Sequence, residues 1–328
     1  MKEKRFWYEG DDGKKIAARK WISASEEDPV LVFQFVHGLG EHSARYAQLA
    51  SEVVAAGGIV YSHDHRGHGY TAEDGLLGHV DDNQGWEKLV SDTRILSNII
   101  SRQHPASPFF IMGHSMGSYI VRDLITLTGK TYSGVILSGT SSYNNLAGLL
   151  ASLIIKSEIK KRGLRSPSKR LRDLTFGRYA RAYRPSRTDF DWLSRNEGKV
   201  DDYVSDPFCG FTASAALFRD LNYGLKRINS SRSARRVPES LPILLLAGTG
   251  DPVGEFGKGP RKVYYLYKRA GLKDVTLKLY DQFRHEIFNE KDCQKPVKDM
   301  MNWVFERMAA NTLTKNPGNK SPGISGVF

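Results

Sequence analysis

The sequence predicts an α/β fold, with a mostly parallel central sheet, helices on both of its faces and an inserted helical cap. Three observations carry that reading. Short apolar runs alternate with segments of helical periodicity up to about residue 140 and again after residue 240, the pattern of parallel strands joined by helical crossovers. Gly113-His114-Ser115-Met116-Gly117 stands where one such run passes into a helix, and a sharp strand-to-helix bend needs glycine because a side chain would collide with it. Between the two alternating parts, from about Thr140 to Phe211, the alternation stops and the chain turns basic and partly helical.

Taken in order, Arg5–Glu9 and Lys15–Trp21 read as strands around the turn Gly10–Gly13. Val30–Val36 reads as a buried strand, and Ala44–Ala56 as a helix stopped at Gly57-Gly58. Ile59–Ser62 is a short strand and Trp86–Arg102 an amphipathic helix. Pro108–Met112 leads into the glycine-flanked bend, Ser115–Thr128 is the helix after it, and Gly134–Leu137 is another strand. After the interruption come a strand at Leu241–Ala247, a helix near Lys258–Ala270, a strand at Val275–Tyr280 and a terminal helix near Lys291–Ala309. The expected organisation is a core in two parts, 1–139 and 212–310, a basic cap or lid at 140–211, and a disordered tail at 311–328, where Gly, Pro, Ser and Asn recur.

Composition bounds the function. With 328 residues, 40% of them hydrophobic and 11% aromatic, the chain can bury a large core and is not a disordered protein. No run of about 18 apolar residues is present, so no spanning helix is expected. The start, MKEKRFWYEGDDGKK, lacks the apolar stretch of a signal peptide, so a cytoplasmic protein is expected. Cys209 and Cys293, the two cysteines, are too few for a disulfide framework or a thiolate metal site and are expected to be free thiols. The net charge of +12 is local: Lys156–Arg184 holds eleven basic residues against Glu158 and Asp173 alone, a net +9.

The bend centred on Ser115 has the form of a nucleophile elbow, which lifts one hydroxyl clear of the backbone at the end of a sheet. Such a serine needs a base, an acid to orient it, and donors for an oxyanion. With the order serine, acid, histidine, His285 is the sole candidate base, because the other eight histidines all precede Ser115. It follows the strand VTLKLY, in DQFRHE. Asp251, in LPILLLAGTGDPVG, ends the most apolar strand of the C-terminal half and is the preferred acid. Asp281 lies too close to His285 in sequence, and Glu255 lies further from the strand. The oxyanion donors are expected at Met116, the residue after the nucleophile, and at Leu39, between Gly38 and Gly40 in VHGLGEHSARY. HDHRGHG, residues 63–69, offers ligand types, but its spacing does not build a metal site. A structural loop fixed by Arg66 and the histidines is expected, and no metal.

On these residues the chain resembles the monoacylglycerol lipase and lysophospholipase-type group of α/β-hydrolases, the serine aminopeptidase-like hydrolase family. The shared motifs are HGLGEHSARY (37–46), DHRGHG (64–69), GHSMG (113–117), DPFCGF (206–211), GTGDPVG (248–254) and RHEIFNE (284–290), which together span most of the chain. The resemblance implies an α/β-hydrolase fold, a triad of Ser115, Asp251 and His285, oxyanion donors at Leu39 and Met116, and a polar pocket formed partly by Glu41 and Arg45. The alternative for Glu41 and Arg45 is a structural ion pair. Mammalian-type lipases of the group carry a second histidine soon after the catalytic one. Here His285 is followed by Glu-Ile-Phe-Asn-Glu, so specificity for monoacylglycerol does not follow from the resemblance.

The expected activity is cleavage of carboxylic esters of lipid type, monoacylglycerol or lysophospholipid, through an acyl-enzyme and without a cofactor. The elbow alone leaves a thioesterase or aminopeptidase-like hydrolase open, although a free amine would call for carboxylates in a cap that is instead basic. LAGLLASLIIKSEIKKRGLR joins apolar to cationic residues, so the region 149–184 is the expected contact with an anionic membrane. The non-enzymatic alternative is nucleic-acid binding by the basic segment, with Phe176, Tyr179 and Tyr183 among its arginines. No binding motif supports it, and it would leave the triad unexplained.

Overall fold

Alternation along the strands assigns residues to two opposite faces of one eight-stranded sheet. In the computed structural model, which describes residues 1–23, 29–72 and 76–315, the sheet has the order β1 (Lys2–Glu9), β2 (Lys15–Ile22), β4 (Ile59–His63), β3 (Val32–Val36), β5 (Phe109–His114), β6 (Gly134–Ser138), β7 (Ile243–Gly248), β8 (Val275–Tyr280). β1 and β2 pair antiparallel, as do β2 and β4, and the remaining ladders are parallel. β1 extends three residues beyond the apolar signal because it pairs along its whole length, from Lys2 opposite Ile22 to Glu9 opposite Lys15.

The helices are α1 (Ala47–Ala55), α2 (Gly85–Gln103), α3 (Met116–Thr128), α4 (Asn145–Arg162), α5 (Lys169–Arg181), α6 (Glu197–Ser205), α7 (Ala215–Ile228), α8 (Ser231–Ala234), α9 (Lys258–Arg269) and α10 (Gln294–Lys315). One sheet face sends Val32, Ile111, Val135 and Ile243 into a core with Trp86 and Leu89 of α2, Ile120 and Leu124 of α3, and Val263 of α9. The other sends Phe33, Phe110, Ile136 and Leu244 against Val53 of α1 and Met300, Trp303 and Val304 of α10. At about 25 cal/mol per Å² of apolar surface removed from water, these two continuous cores are what hold the sheet between its helices.

Between β6 and β7 lie α4 to α8. Asn144, Ser168, Asn196 and Ser214 cap α4, α5, α6 and α7 by accepting bonds from the first-turn N–H groups, which satisfies donors a helix start leaves open. α7 is a helix the sequence reading does not register; it packs on α2, α3 and α4. A separate small core of Ala180, Trp192, Leu193 and Tyr203 joins α5 and α6. The first turn predicted for α1 is a tight turn at Ser43–Tyr46, where Ser43 donates its N–H to the Asp64 carboxylate at 2.9 Å. α10 continues past the predicted Ala309 to Lys315, so residues 311–315 are helical, and residues 316–328 of the expected tail lie outside the described residues. No helix among the described residues is long and apolar enough to cross a membrane.

Candidate active site

The serine at the bend sits in a backbone conformation that side chains rarely adopt. Ser115 has φ 51° and ψ −121° between β5 and α3, and strain of this kind costs about 1–3 kcal/mol and survives only where the surroundings enforce it. They do so by close approach. A Cβ on Gly117 would lie 2.0 Å from the Val36 carbonyl oxygen, and one on Gly113 2.4 Å from that of Gly117. The Ser115 N–H donates to Ser138 O at 3.0 Å, and its carbonyl accepts the Ser118 N–H at 2.9 Å. The elbow is thereby bonded to β6 on one side and to its own helix on the other.

His285 and Asp251 come from the loops after β8 and β7. Both are buried, and His285 Nδ1 lies 2.9 Å from Asp251 Oδ2. The second Asp251 oxygen accepts the Val253 N–H at 2.8 Å, which fixes the carboxylate plane. Burial acts most strongly on His285 and pulls its pKa down. The charge and hydrogen bond of Asp251, with Glu286 and Glu41, outweigh it and raise the pKa above 6.5. The two rival acids are placed elsewhere: Asp281 accepts the Thr249 hydroxyl at 3.1 Å on an exposed turn, and Glu255 pairs with Lys262 at 2.9 Å.

Ser115 and His285 line one cavity of about 90 Å³ together with Leu39 and Met116. Met116 opens α3, where the helix dipole and its unpaired N–H groups favour negative charge. The loop carrying Leu39 is held on every side. The Gly38 N–H donates to Glu41 Oε1 at 2.6 Å, so that N–H is already committed. His37 Nε2 accepts the His65 N–H at 2.9 Å, which leaves its Nδ1 to donate to the Gly38 carbonyl at 2.7 Å. The Gly40 carbonyl accepts the Tyr203 hydroxyl at 2.8 Å and the Gly210 N–H at 3.0 Å.

Glu41 and Arg45 form a buried network. Arg45 Nη1 donates to Glu41 Oε2 at 2.8 Å and to Glu286 Oε1 at 2.6 Å, while Nη2 donates to Glu286 Oε2 at 2.8 Å. Burial, the largest influence on Glu286, raises its pKa, but Arg45 holds it down to about 2. Glu41 and Glu286 reach the serine cavity, and all three residues line a smaller cavity behind it. Glu286 was missed in the sequence, although it directly follows the candidate base. Trp192 and Phe176, which form an apolar wall from the cap, had no local signal, since cap residues reach the site only through the fold.

The histidine-rich loop is a hydrogen-bonded support. Arg66 donates twice to Asp92, at 2.6 and 2.9 Å, and twice to Asp12, both at 2.7 Å. His63, His65 and His68 are buried, and burial lowers their pKa values, to about 4 for His63 and His68. The one group among the described residues with three metal-ligand types in reach is His42, Asp206 and Cys209, with donor atoms within 4.8 Å of one another. His42 and Asp206 already bond each other at 2.8 Å, and the Arg45 charge acts on Cys209, a setting that disfavours a cation.

Comparison with known proteins agrees with this architecture. The family model described as Hydrolase_4, serine aminopeptidase, S33, matches residues 27–292. A monoacylglycerol lipase of Mycolicibacterium smegmatis is 29% identical over 304 residues, 92% of this chain and 96% of that one. A monoglyceride lipase of Mus musculus is 30% identical over 310 residues, 91% and 89% of the two chains. Among solved structures, a highly thermostable carboxyl esterase from Bacillus coagulans in complex with glycerol superposes with a TM-score of 0.84 at 30% identity, over 93% of this chain and 98% of that one.

Proposed function

We propose, for a chain that belongs to the serine aminopeptidase S33 family of α/β-hydrolases, that it is a serine hydrolase of lipid-type carboxylic esters, with Ser115 as nucleophile. The observation that carries this is the strained, half-buried Ser115 sharing a cavity with a His285 whose Nδ1 is bonded to Asp251.

With Nδ1 committed to Asp251, His285 has Nε2 left to take the Ser115 proton as the hydroxyl attacks the ester carbonyl. Asp251 holds the tautomer and stabilises the imidazolium. The N–H groups of Leu39 and Met116 receive the charge that develops on the carbonyl oxygen. A preorganised donor of this type is worth about 3–4 kcal/mol of barrier. The C–O bond to the alcohol breaks, and His285 returns the proton to the departing oxygen. Water then attacks the acyl-serine, gives its proton to His285, and the fatty acid leaves as Ser115 recovers its hydrogen.

The lipid character of the acyl group is supported by the cavity walls, Met116, Tyr119, Phe218, Leu221 and Leu225, and by relatives that are lipases of monoacylglycerol. Against a peptide substrate, the two carboxylates that reach the cavity, Glu41 and Glu286, are both held by Arg45. A cytoplasmic enzyme that touches an anionic membrane through 149–184 fits α4. Leu146, Leu149, Leu150 and Leu153 are each more than half exposed, at the i, i+3, i+4, i+7 spacing of one stripe, which runs on into Lys156 and Lys160. Such a face suits the boundary between head groups and acyl chains. The test is initial rates on p-nitrophenyl esters from C2 to C16, a monoacylglycerol, a lysophospholipid and an aminoacyl-p-nitroanilide, in wild type and Ser115→Ala. Ester turnover that vanishes in the variant supports the reading; a folded wild type inert on every ester overturns it.

A further inference from the structure

We infer that the cap carries an anion subsite beside the catalytic cavity, and that the preferred ester has an alcohol part bearing a phosphate. This rests on the ester-hydrolase reading and narrows it to a substrate class.

A second cavity, of about 350 Å³, meets the catalytic one at Leu39, Phe176 and Tyr203, which line both. One face of α5 and the turn after it form its side. Lys169, Arg172, Phe176, Ala180 and Arg184 follow one another at helical spacing, with Arg181 beside them. Apolar contacts occupy the middle of the stripe and cations its two ends. Two carboxylates, Asp173 and Asp189, also line the space. Asp173 is taken up by Arg172 at 3.1 Å. Lys169, Arg181 and Arg184 have no carboxylate within ion-pair distance among the described residues. Other cations of the same segment do have one: Arg162 and Arg170 sit at Glu158, and Arg165 at Asp82.

The +9 stretch therefore does more than solvate a cap, since unmatched positive charge borders the approach to Ser115. A phosphate monoester, with up to two charges and three acceptor oxygens, can use several guanidinium forks at once. A neutral triol gains little from them.

The test compares two soluble esters, monobutyrin and 1-butyryl-glycerol 3-phosphate, below any aggregation limit and without lipid. The readout is the ratio of their kcat/KM values in wild type, in Arg181→Glu/Arg184→Glu and in the milder Arg184→Gln. The wild type is expected to favour the phosphate ester about tenfold or more, and the double variant to lower that ratio by about tenfold or more, since the loss of even one of its two charge-assisted contacts has an effect of that size. Calorimetric titration with glycerol 3-phosphate, with glycerol as control, reads the subsite directly and does not depend on turnover. A wild-type ratio near one, or a ratio unmoved in both variants, overturns the subsite. The rates are repeated with anionic vesicles added, and a charge effect of the two variants that appears only there also overturns the subsite and assigns the cations to a lipid surface. If neither ester is hydrolysed, the ester-hydrolase reading fails, and the titration alone then decides whether the anion subsite stands.

Discussion

Arg45 and Glu286 face each other through two parallel hydrogen bonds of 2.6 and 2.8 Å, in a site where both side chains are about nine-tenths buried or more. Glu286 follows His285 directly, and Arg45 also holds Glu41, which binds the Gly38 N–H. The loop that carries His285, the proposed base, and the loop that carries Leu39, the proposed oxyanion donor, are thus clamped by one guanidinium.

Removing that guanidinium leaves two buried carboxylates uncompensated. Arg45→Met is expected to lower stability by about 3–5 kcal/mol, measured by denaturant unfolding. Arg45→Lys, which keeps the charge but loses the fork, is expected to retain most stability and to lose kcat more than it raises KM. Unchanged kcat in Arg45→Lys would contradict the clamp.

Asp251→Asn should leave the fold intact and lower kcat by about 10⁴, because the amide favours the wrong imidazole tautomer. Asp281→Asn and Glu255→Gln, which lie outside the site, should alter kcat by less than about twofold. Steady-state kinetics on one p-nitrophenyl ester distinguishes the three.

Gly117→Ala would bring a Cβ 2.0 Å from the Val36 carbonyl oxygen. Neither backbone can yield without moving β3 from the start of α3. The variant is expected to lose several kcal/mol of stability and all esterase activity. A folded, active Gly117→Ala by thermal melt and assay would refute the elbow geometry.

Two pH effects of different origin follow from the histidines. His285 must be neutral to accept a proton, and its pKa is raised, so the rising limb of kcat/KM is expected above pH 6.5. His63, His68 and His114 are held at about 4 by burial. The unfolded chain therefore binds protons below about pH 6.5 that the folded chain refuses until about pH 4. Stability should fall as pH drops through that window, by on the order of 3 kcal/mol per such histidine. His285, with its pKa raised, has the opposite sign: its contribution is complete below pH 6.5 and fades as pH rises through its folded value. Unfolding free energies between pH 4 and 9 would show whether the acid loss dominates.

Most of the sheet was legible because its central strands are short buried apolar runs flanked by glycine or proline, as β4 is by Gly58, β5 by Pro108, β6 by Gly139 and β7 by Pro242. α7 was not read, and Gly224 is one reason. Glycine weakens a helical signal, yet a Cβ there would lie 2.2 Å from the Trp86 ring, a tertiary demand invisible in the local pattern. At the site, Ser115, Asp251 and His285 were legible as candidates because each lies one to five residues past the end of a strand. Tyr203 is not, since its partner Gly40 is 163 residues away, and no local periodicity records such a contact. Glu286 lay in plain sight in RHE, but a charge next to a histidine reads as surface until Arg45 is found against it.

The bonds to Gly40 give the cap a second meaning. One carbonyl oxygen takes both the Tyr203 hydroxyl and the Gly210 N–H, one from α6 and one from the turn after it. If these elements lift together, both donors leave at once, and the strand-end loop bearing Leu39 is released from that side. In that event, access past α6 and the order of the loop bearing Leu39 would change together, because both rest on the same two bonds.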